Sequence, residues 1–326
     1  TLAYSENLLV AALMVAPFRL ISGNPLLLLN LALLAALTTS GVAAFVLARY
    51  LTGNTWAALL GGLLFAFAPY RWAHVPHIQL QLAFALPLSF YFAHRIFAEG
   101  GAKSAAGLGL SIAAAFGSSG YYGVFLLTAL PIVLIFEIVR ASSAVRKRGL
   151  RYLLLAAVVA VLSTAPLVLP YAGKLHEGST RAFETTSFYA AGVREYVSSF
   201  SRLHFFLPKE EEPLFPGFVA ILLALGALAT VAVIPSQSIS GRQSRGVVWT
   251  YATLGILGVA LSLGPSGGLF SVLFRVLPPY QGLRVPSRAA IVFLMAVSVL
   301  AAIGLSRIKR KLIRGTLIVV AAAECY

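Results

Sequence analysis

The chain has 326 residues, of which 59% are hydrophobic and only 11% are charged. Soluble globular domains carry roughly 25% charged residues, so this composition excludes a water-soluble domain. The formal net charge is +15. Its Lys and Arg residues occur in short clusters between apolar runs, which is the positive-inside pattern of membrane proteins and not a nucleic-acid-binding surface. The sequence therefore indicates an integral membrane protein whose partner is the lipid bilayer, with no nucleic acid.

Apolar segments recur along the whole chain at the length that a helix needs to cross a bilayer, roughly 20 residues. They predict an all-α polytopic bundle of about ten transmembrane helices, forming a single domain over residues 1–326. Residues 7–21 are shorter and contain Pro17 and Arg19, and we expect an interfacial helix there. The predicted spans are residues 25–48, 55–69, 78–96, 104–118, 121–139, 152–171, 214–235, 247–264, 288–305 and a last span from about residue 315.

Both ends of the sequence look interrupted. The chain begins at Thr1 without a Met and stops soon after an apolar run at 317–323 that is too short to span. We expect a chain truncated at both ends, with an N-terminal span and a first outer loop missing.

The basic clusters predict the orientation of the bundle, because short loops rich in Lys and Arg remain in the cytoplasm. The clusters at 140–151, 242–245 and 307–314 are separated by even numbers of spans, so one multi-pass topology in the cytoplasmic (inner) membrane satisfies all three. The outward segments are then residues 1–24, 70–77, 118–121, 173–213 and 265–287, which include an interfacial segment at 1–24 and the longest outer loop at 173–213.

The most specific polar string covers residues 69–81, which join two predicted spans on the outer face. It contains Arg71, His74, His77 and Gln79. An aromatic and basic interfacial belt would explain the string in part. A pocket for a phosphate or for sugar hydroxyls would explain it more fully, because such a pocket needs charged and bidentate donors close together. A metal pair at the two histidines is a further alternative.

Two other outer segments carry candidate binding residues. Tyr121 and Tyr122 follow a run of small residues, which favours either close helix packing at an aromatic belt or the lining of the same pocket. Arg284 and Arg288 lie in a proline-rich loop and are either membrane anchors or contacts to an anion. We favour anion contact, since cationic groups outside run against the positive-inside bias.

The remaining acidic residues give no catalytic pattern. The mixed charges of residues 173–213 are typical of solvated surface, and Glu137 is expected to snorkel or to pair with a basic neighbour. Glu residues of the outer loops could hold a divalent cation, but their spacing does not require one, so the cofactor is unknown. No Walker loop, catalytic-triad order, HExxH or Rossmann fingerprint occurs.

Several short strings in the sequence are distinctive. They are LAYSEN at 2–7, AFAPYR at 66–71 followed by His74, His77 and Gln79, the Tyr121–Tyr122 pair, LFPG at 214–217 and LRVPSR at 283–288. Together they resemble uncharacterised bacterial polytopic proteins that look like GT-C type glycosyltransferases, the superfamily of YfhO-like and protein mannosyltransferase-like membrane enzymes. The similarity extends over most of the chain but is specific only in these strings.

The resemblance implies an enzyme that transfers a sugar from a polyprenyl-phosphate-linked donor to a lipid, glycan or protein outside the cytoplasmic membrane. Such enzymes usually place a catalytic Asp in the first outer loop, whereas this chain contains no Asp. The catalytic residue is therefore unassigned, Glu6 is a candidate for a group near the acceptor, and we expect the fragment alone to be inactive.

The leading hypothesis is thus a membrane glycosyltransferase whose substrate-binding residues lie near the donor phosphate. A transporter or flippase of a lipid-linked saccharide would share the outer polar pocket but would need a path through the bundle. A non-catalytic scaffold would leave the polar cluster unexplained. The proposed substrate-binding residues are Arg71, His74, His77, Gln79, Tyr121, Tyr122, Arg284 and Arg288.

Overall fold

A computed structural model describes residues 8–176, 183–233 and 245–326. The regular elements in these ranges are helices, and no strand occurs in them, so the predicted all-α class is confirmed. The helices are α1 (Leu9–Arg19), α2 (Pro25–Thr52), α3 (Thr55–Ala66), α4 (Pro69–Ala73), α5 (Ile78–Gln81), α6 (Ala85–Ala98), α7 (Ala102–Ser118), α8 (Gly120–Arg140), α9 (Ser143–His176), α10 (Phe183–Phe188), α11 (Phe218–Val233), α12 (Arg245–Ser262), α13 (Leu269–Val276), α14 (Ala290–Arg307) and α15 (Lys311–Glu324).

Within the described ranges, 5 helical segments are long and apolar enough to cross a membrane, as expected of a helical membrane protein. α1 and α11 are apolar but shorter. The segments that satisfy both criteria are Pro25–Thr52, Gly120–Arg140, Ser143–Leu169, Arg245–Ser262 and Pro286–Arg307. The larger number of spans read from the sequence remains a prediction.

The segment read as a span over residues 78–96 is divided between two helices, so one uninterrupted helix does not form there. α5 ends at Gln81 and α6 begins at Ala85. The Ser40 hydroxyl donates to the Gln81 carbonyl at 3.0 Å and accepts the Ala83 amide at 3.1 Å, so it satisfies backbone groups at the break. Pro87 lies in the first turn of α6, where a residue without an amide hydrogen is tolerated, whereas a continuous helix would place it in the interior.

Contacts between Cα atoms divide the chain into two compact units, which are described separately below. Unit 1 comprises residues 1–40, 74–186 and 272–284. Unit 2 comprises residues 41–73, 187–271 and 285–326.

Unit 1 is built around α6 and α7, which pack on each other and on both α8 and α9, with α1 against α7. The approach of α7 to α9 depends on Gly109, where an added Cβ would lie 2.7 Å from the Ala156 carbonyl oxygen. Small residues at helix interfaces allow such close backbone contact in membrane proteins. A second apolar cluster joins the N-terminal helices to the α5 region and consists of Ala11, Ala32, Ala36, Ile78 and Leu82.

Unit 2 is organised around α14, which is buried along nearly its whole length and packs against α3, α11 and α12. A helix that is apolar on all sides is expected at the centre of a bundle. Glycines again set the helix spacing. A Cβ at Gly304 would lie 2.1 Å from the Leu223 carbonyl oxygen of α11, and one at Gly258 would lie 2.4 Å from the Phe293 nitrogen of α14.

Candidate functional site

The two predicted tyrosines open α8, directly after a one-residue break in the helical chain. Ser119 is extended, with φ −158° and ψ 131°, and separates the end of α7 from the start of α8 at Gly120. Tyr121 and Tyr122 consequently occupy the first turn of an apolar helix. Both side chains are buried, with exposed fractions of 9% and 0%.

These two tyrosines bind two segments that are far apart in the sequence. The Tyr122 hydroxyl donates a hydrogen bond to the Leu80 carbonyl oxygen at 2.8 Å. The Tyr121 hydroxyl accepts one from the Arg284 backbone amide at 3.0 Å. The segment 74–81 and the segment 278–284 are therefore both held at the N-terminal end of α8, within unit 1.

The segment 74–81 is ordered by its own hydrogen bonds. The Gln81 side-chain amide donates to the His74 carbonyl at 2.7 Å, and the His77 amide donates to the same carbonyl at 2.9 Å. The His74 and His77 rings lie with their centroids 5.7 Å apart and tilted by 50°. His74 is buried, Gln79 is half-buried and His77 is exposed, so the segment presents an imidazole and an amide at the surface of the unit.

The segment 278–284 begins with Pro278 and Pro279 in a 3₁₀ turn, and its tyrosine points back to α8. The hydroxyl groups of Tyr280 and Thr128 are 2.7 Å apart and share a hydrogen bond. Burial raises the pKa of Tyr280 to about 12, so this hydroxyl stays neutral at physiological pH. The turn leaves the Arg284 side chain exposed, where it can contact an anion.

The structure thus brings 6 of the predicted substrate-binding residues into unit 1 and joins their segments through α8. Arg71 and Arg288 belong to unit 2. Arg71 is only 1% exposed, and its guanidinium carbon lies 5.6 Å from the centroid of the Phe65 ring. Arg288 is half-buried in the 3₁₀ turn Pro286–Ala289. Glu6 lies outside the described residues.

A second polar cluster, in unit 2, was missed by the sequence reasoning, which treated residues 173–213 as solvated surface. His204 is 1% exposed, and its Nδ1 forms a 2.8 Å hydrogen bond with Ser199 Oγ. Its Nε2 lies 3.6 Å from Glu324 Oε1. Burial lowers the pKa of His204, while the Glu324 charge acts in the opposite direction. We call this group the His204 cluster.

The Glu324 carboxylate also caps the start of α11. Its two oxygens accept the backbone amides of Phe218 at 3.1 Å and Val219 at 3.0 Å. A carboxylate is favoured there because the first amides of a helix have no partner within the helix and the helix dipole is positive at that end. Gly217, with φ +101°, makes room, because a Cβ there would lie 2.8 Å from Glu324 Oε2.

The sequence carried a partial signal for this cluster in the string LFPG before α11, whose glycine suggests a special backbone turn. It carried no sign that the carboxylate of Glu324, 106 residues beyond Phe218, would reach the turn.

The expectation that Glu137 pairs with a basic neighbour is confirmed. Its carboxylate lies 2.9 Å from His94 Nδ1 and 3.3 Å from Arg140 Nη1.

Among the described residues, no group of three or more His, Cys, Asp or Glu side chains is placed to hold a metal ion. Comparison of the chain with protein-family models, with curated proteins and with solved structures finds no match.

Proposed function

We propose that this protein is a membrane glycosyltransferase of the GT-C type, which transfers a sugar from a polyprenyl-phosphate-linked donor to a lipid, glycan or protein acceptor. The observation that supports it best is the pair of hydrogen bonds from Tyr121 and Tyr122, which hold the segment 74–81 and the segment 278–284 at one end of α8. Both segments were selected from the sequence as phosphate or sugar contacts, and the tyrosines account for their association.

The chemistry of such a transfer requires two kinds of group. Cations and hydrogen-bond donors stabilise the phosphate as it leaves, and a base removes the proton of the acceptor hydroxyl. Exposed Arg284 supplies a cation, and His77 with Gln79 supplies polar donors on the same unit. In this proposal these residues bind the donor phosphate, whereas the base is not assigned.

The proposal includes the topology derived from charge. The basic segments 140–151, 242–245 and 307–314 then lie on the cytoplasmic side, and the N-terminal end of α8 faces outward. The first of these segments is predicted as a loop, but the structure places residues from Ser143 onward in α9. A bundle of about ten spans in the inner membrane would place the tyrosine-held segments at the outer headgroup level, where a lipid-linked phosphate lies.

The test is a transfer assay on membranes from cells that express the open reading frame encoding this chain, with a radiolabelled polyprenyl-phosphate sugar as donor. We expect transfer above the level of membranes without the protein, and a loss of about tenfold or more in kcat/KM for Arg284→Gln, since one charge-assisted contact to the departing phosphate is removed.

Arg275→Gln is the matched control, because Arg275 is also an exposed arginine of unit 1 but is not a predicted contact. It should transfer at the wild-type rate. Absence of transfer by the wild-type protein, or equal losses in the two variants, would contradict the proposal.

Two observations favour the second candidate, a proton-coupled transporter or flippase of a lipid-linked saccharide. The helical segment that follows His77 is broken between α5 and α6, and broken helices mark many transporter sites. Buried His94 on α6 and half-buried Glu137 on α8 form a pair at 2.9 Å, and ionisable pairs inside a bundle often relay protons. Transport of a labelled lipid-linked saccharide into vesicles, abolished by Glu137→Gln and without transfer of the sugar, would replace the enzyme proposal.

A further inference from the structure

A cavity of about 210 Å³ lies in unit 2 beside the end of α15. Most of its wall is aromatic or apolar, and it has little polar surface. The residues that line it are Pro69, Trp72, Phe200, Ser201, Cys325 and Tyr326.

The polar feature that stands out in the wall is the Ser201 hydroxyl. Ser201 is 3% exposed, and its Oγ forms no hydrogen bond with any described residue. Its backbone amide is engaged, donating to Ser199 Oγ at 3.2 Å. Because a buried hydroxyl without a partner is unfavourable, this group is suited to bind a ligand that enters the cavity.

The guanidinium group of Arg202, the residue that follows Ser201, lies next to the cavity. The Arg202 guanidinium carbon lies 4.7 Å from the centroid of the Tyr326 ring, and the side chain is exposed. Exposed apolar side chains surround this arginine along the chain. They are Val197, Phe200, Leu203, Phe205 and Phe206. A cation among exposed aromatic and aliphatic groups is typical of segments that lie in the membrane interface.

We propose that this cavity binds one acyl chain of an anionic bilayer phospholipid, with the Ser201 hydroxyl donating to the ester carbonyl and Arg202 contacting the headgroup phosphate. An apolar cavity of roughly 150 Å³ holds a benzene molecule, so this one accommodates a short length of hydrocarbon chain. A sugar ring fits less well, since its several hydroxyls would meet a wall with little polar surface. The site does not depend on sugar transfer.

The experiment uses tryptophan fluorescence and phospholipids with brominated acyl chains, which quench an indole on contact. The protein has 3 tryptophans. Trp56→Phe with Trp249→Phe leaves Trp72 in the cavity wall. Trp56→Phe with Trp72→Phe leaves Trp249 as the control. Trp249 lies on α12 and is 49% exposed, close to the 45% exposure of Trp72.

Each variant is reconstituted in vesicles that contain a few mole per cent of brominated phosphatidylglycerol or brominated phosphatidylcholine. We expect phosphatidylglycerol to quench Trp72 more strongly than phosphatidylcholine does, and the two lipids to quench Trp249 alike. Arg202→Gln should weaken the preference at Trp72 about fivefold, the effect of one basic residue near an anionic lipid. Ser201→Ala should weaken quenching by both lipids, whereas Arg275→Gln should change nothing.

Equal quenching of Trp72 and Trp249 by both lipids would show only bulk bilayer contact and would overturn the proposal. Displacement of brominated phosphatidylglycerol from Trp72 by an equal mole fraction of polyprenyl phosphate, but not by unbrominated phosphatidylglycerol, would assign the cavity to a lipid-linked substrate and would also overturn it. Failure of the transfer assay with the lipid preference intact would contradict the proposed enzyme but leave this site standing.

Discussion

The hydroxyl of Tyr121 and the backbone amide of Arg284 are joined by a 3.0 Å hydrogen bond between residues 163 positions apart in the sequence. Tyr121→Phe removes the acceptor while keeping the buried ring. We expect a loss of about 1 kcal/mol of stability, the usual net contribution of one such bond. We also expect the rate of sugar transfer to fall at temperatures where the variant is still fully folded, because the Arg284 backbone is no longer fixed.

Thermal unfolding in detergent measures the first effect, and the transfer assay at a temperature well below unfolding measures the second. Tyr91→Phe is the control, since the Tyr91 hydroxyl accepts a hydrogen bond from Arg95 Nη1 at 3.0 Å within α6. If Tyr121→Phe and the wild type transferred sugar at the same rate, the hydrogen bond between Tyr121 and Arg284 would have no role in transfer.

The Glu324 carboxylate supports the start of α11 from a distant helix, so its removal should destabilise unit 2. Glu324→Ala leaves the Phe218 and Val219 amides without their acceptor, and we expect a loss of roughly 2 kcal/mol. Glu324→Gln keeps one acceptor oxygen and should lose about half as much. Unfolding midpoints in detergent give both values, and an unchanged midpoint for the alanine variant would show that the cap contributes nothing.

The free energy of unfolding should depend on pH through His204, which binds a proton more weakly in the folded protein than in the unfolded chain. Burial lowers the pKa of His204 in the folded protein below the ordinary 6.5. The Lys209 charge lowers this pKa further, whereas Glu324 raises it without cancelling the effect of burial. The unfolded chain therefore binds the proton first as the pH falls, and stability decreases below about pH 6.5, toward the lowered folded pKa.

Unfolding midpoints between pH 7.5 and pH 5, compared for the wild type and His204→Asn, isolate this contribution, because asparagine keeps a polar group near Ser199 without a titratable ring. The difference between the two proteins should narrow as the pH falls. A difference that stays constant, or widens toward low pH, would mean that the folded protein holds the proton at least as well as the unfolded chain.

Close packing of α11 on α14 makes Gly304 intolerant of a side chain. A Cβ at this position would lie 2.1 Å from the Leu223 carbonyl oxygen, which is backbone and cannot rotate away. We expect Gly304→Ala to cost about 1–3 kcal/mol of stability through overpacking. Gly226→Ala on α11 is the matched control, because no atom lies within 4 Å of its added Cβ. That variant should be neutral or slightly stabilised, and similar midpoints for both variants would contradict the packing.

The five long apolar helices of the described ranges followed from the sequence because apolar runs of about 20 residues have few other uses in a membrane protein. The break between Gln81 and Ala85 did not, because it depends on the Ser40 hydroxyl, which arrives from another helix. Pro87 was visible in the sequence, but a proline near a helix start and a proline inside a helix look the same without the tertiary contacts.

In the candidate site, too, the sequence identified some residues but not the contacts that they make. Tyr121, Tyr122 and Arg284 could be chosen because they are polar side chains in or directly beside predicted outer segments that adjoin apolar spans. Their partners could not be chosen, since a hydrogen bond to the Leu80 carbonyl or from the Arg284 amide involves backbone that every residue has. The His204 cluster stayed hidden for a related reason, because mixed charges in a loop usually indicate solvated surface.

The central claim is that the segments 74–81 and 278–284 form one substrate site on the outer face. The most direct measurement starts from Cys325→Ser, which removes the single cysteine, and introduces Gln79→Cys, Arg284→Cys or Arg275→Cys. A membrane-impermeant maleimide is then applied from outside to intact cells or spheroplasts, with and without a saturating concentration of the polyprenyl-phosphate sugar, because the cysteines at positions 79 and 284 each replace a proposed contact and weaken binding. We predict that all three positions react from outside and that the donor protects positions 79 and 284 together but not 275. Reaction only from the cytoplasmic side, or no protection of either position, would contradict the account.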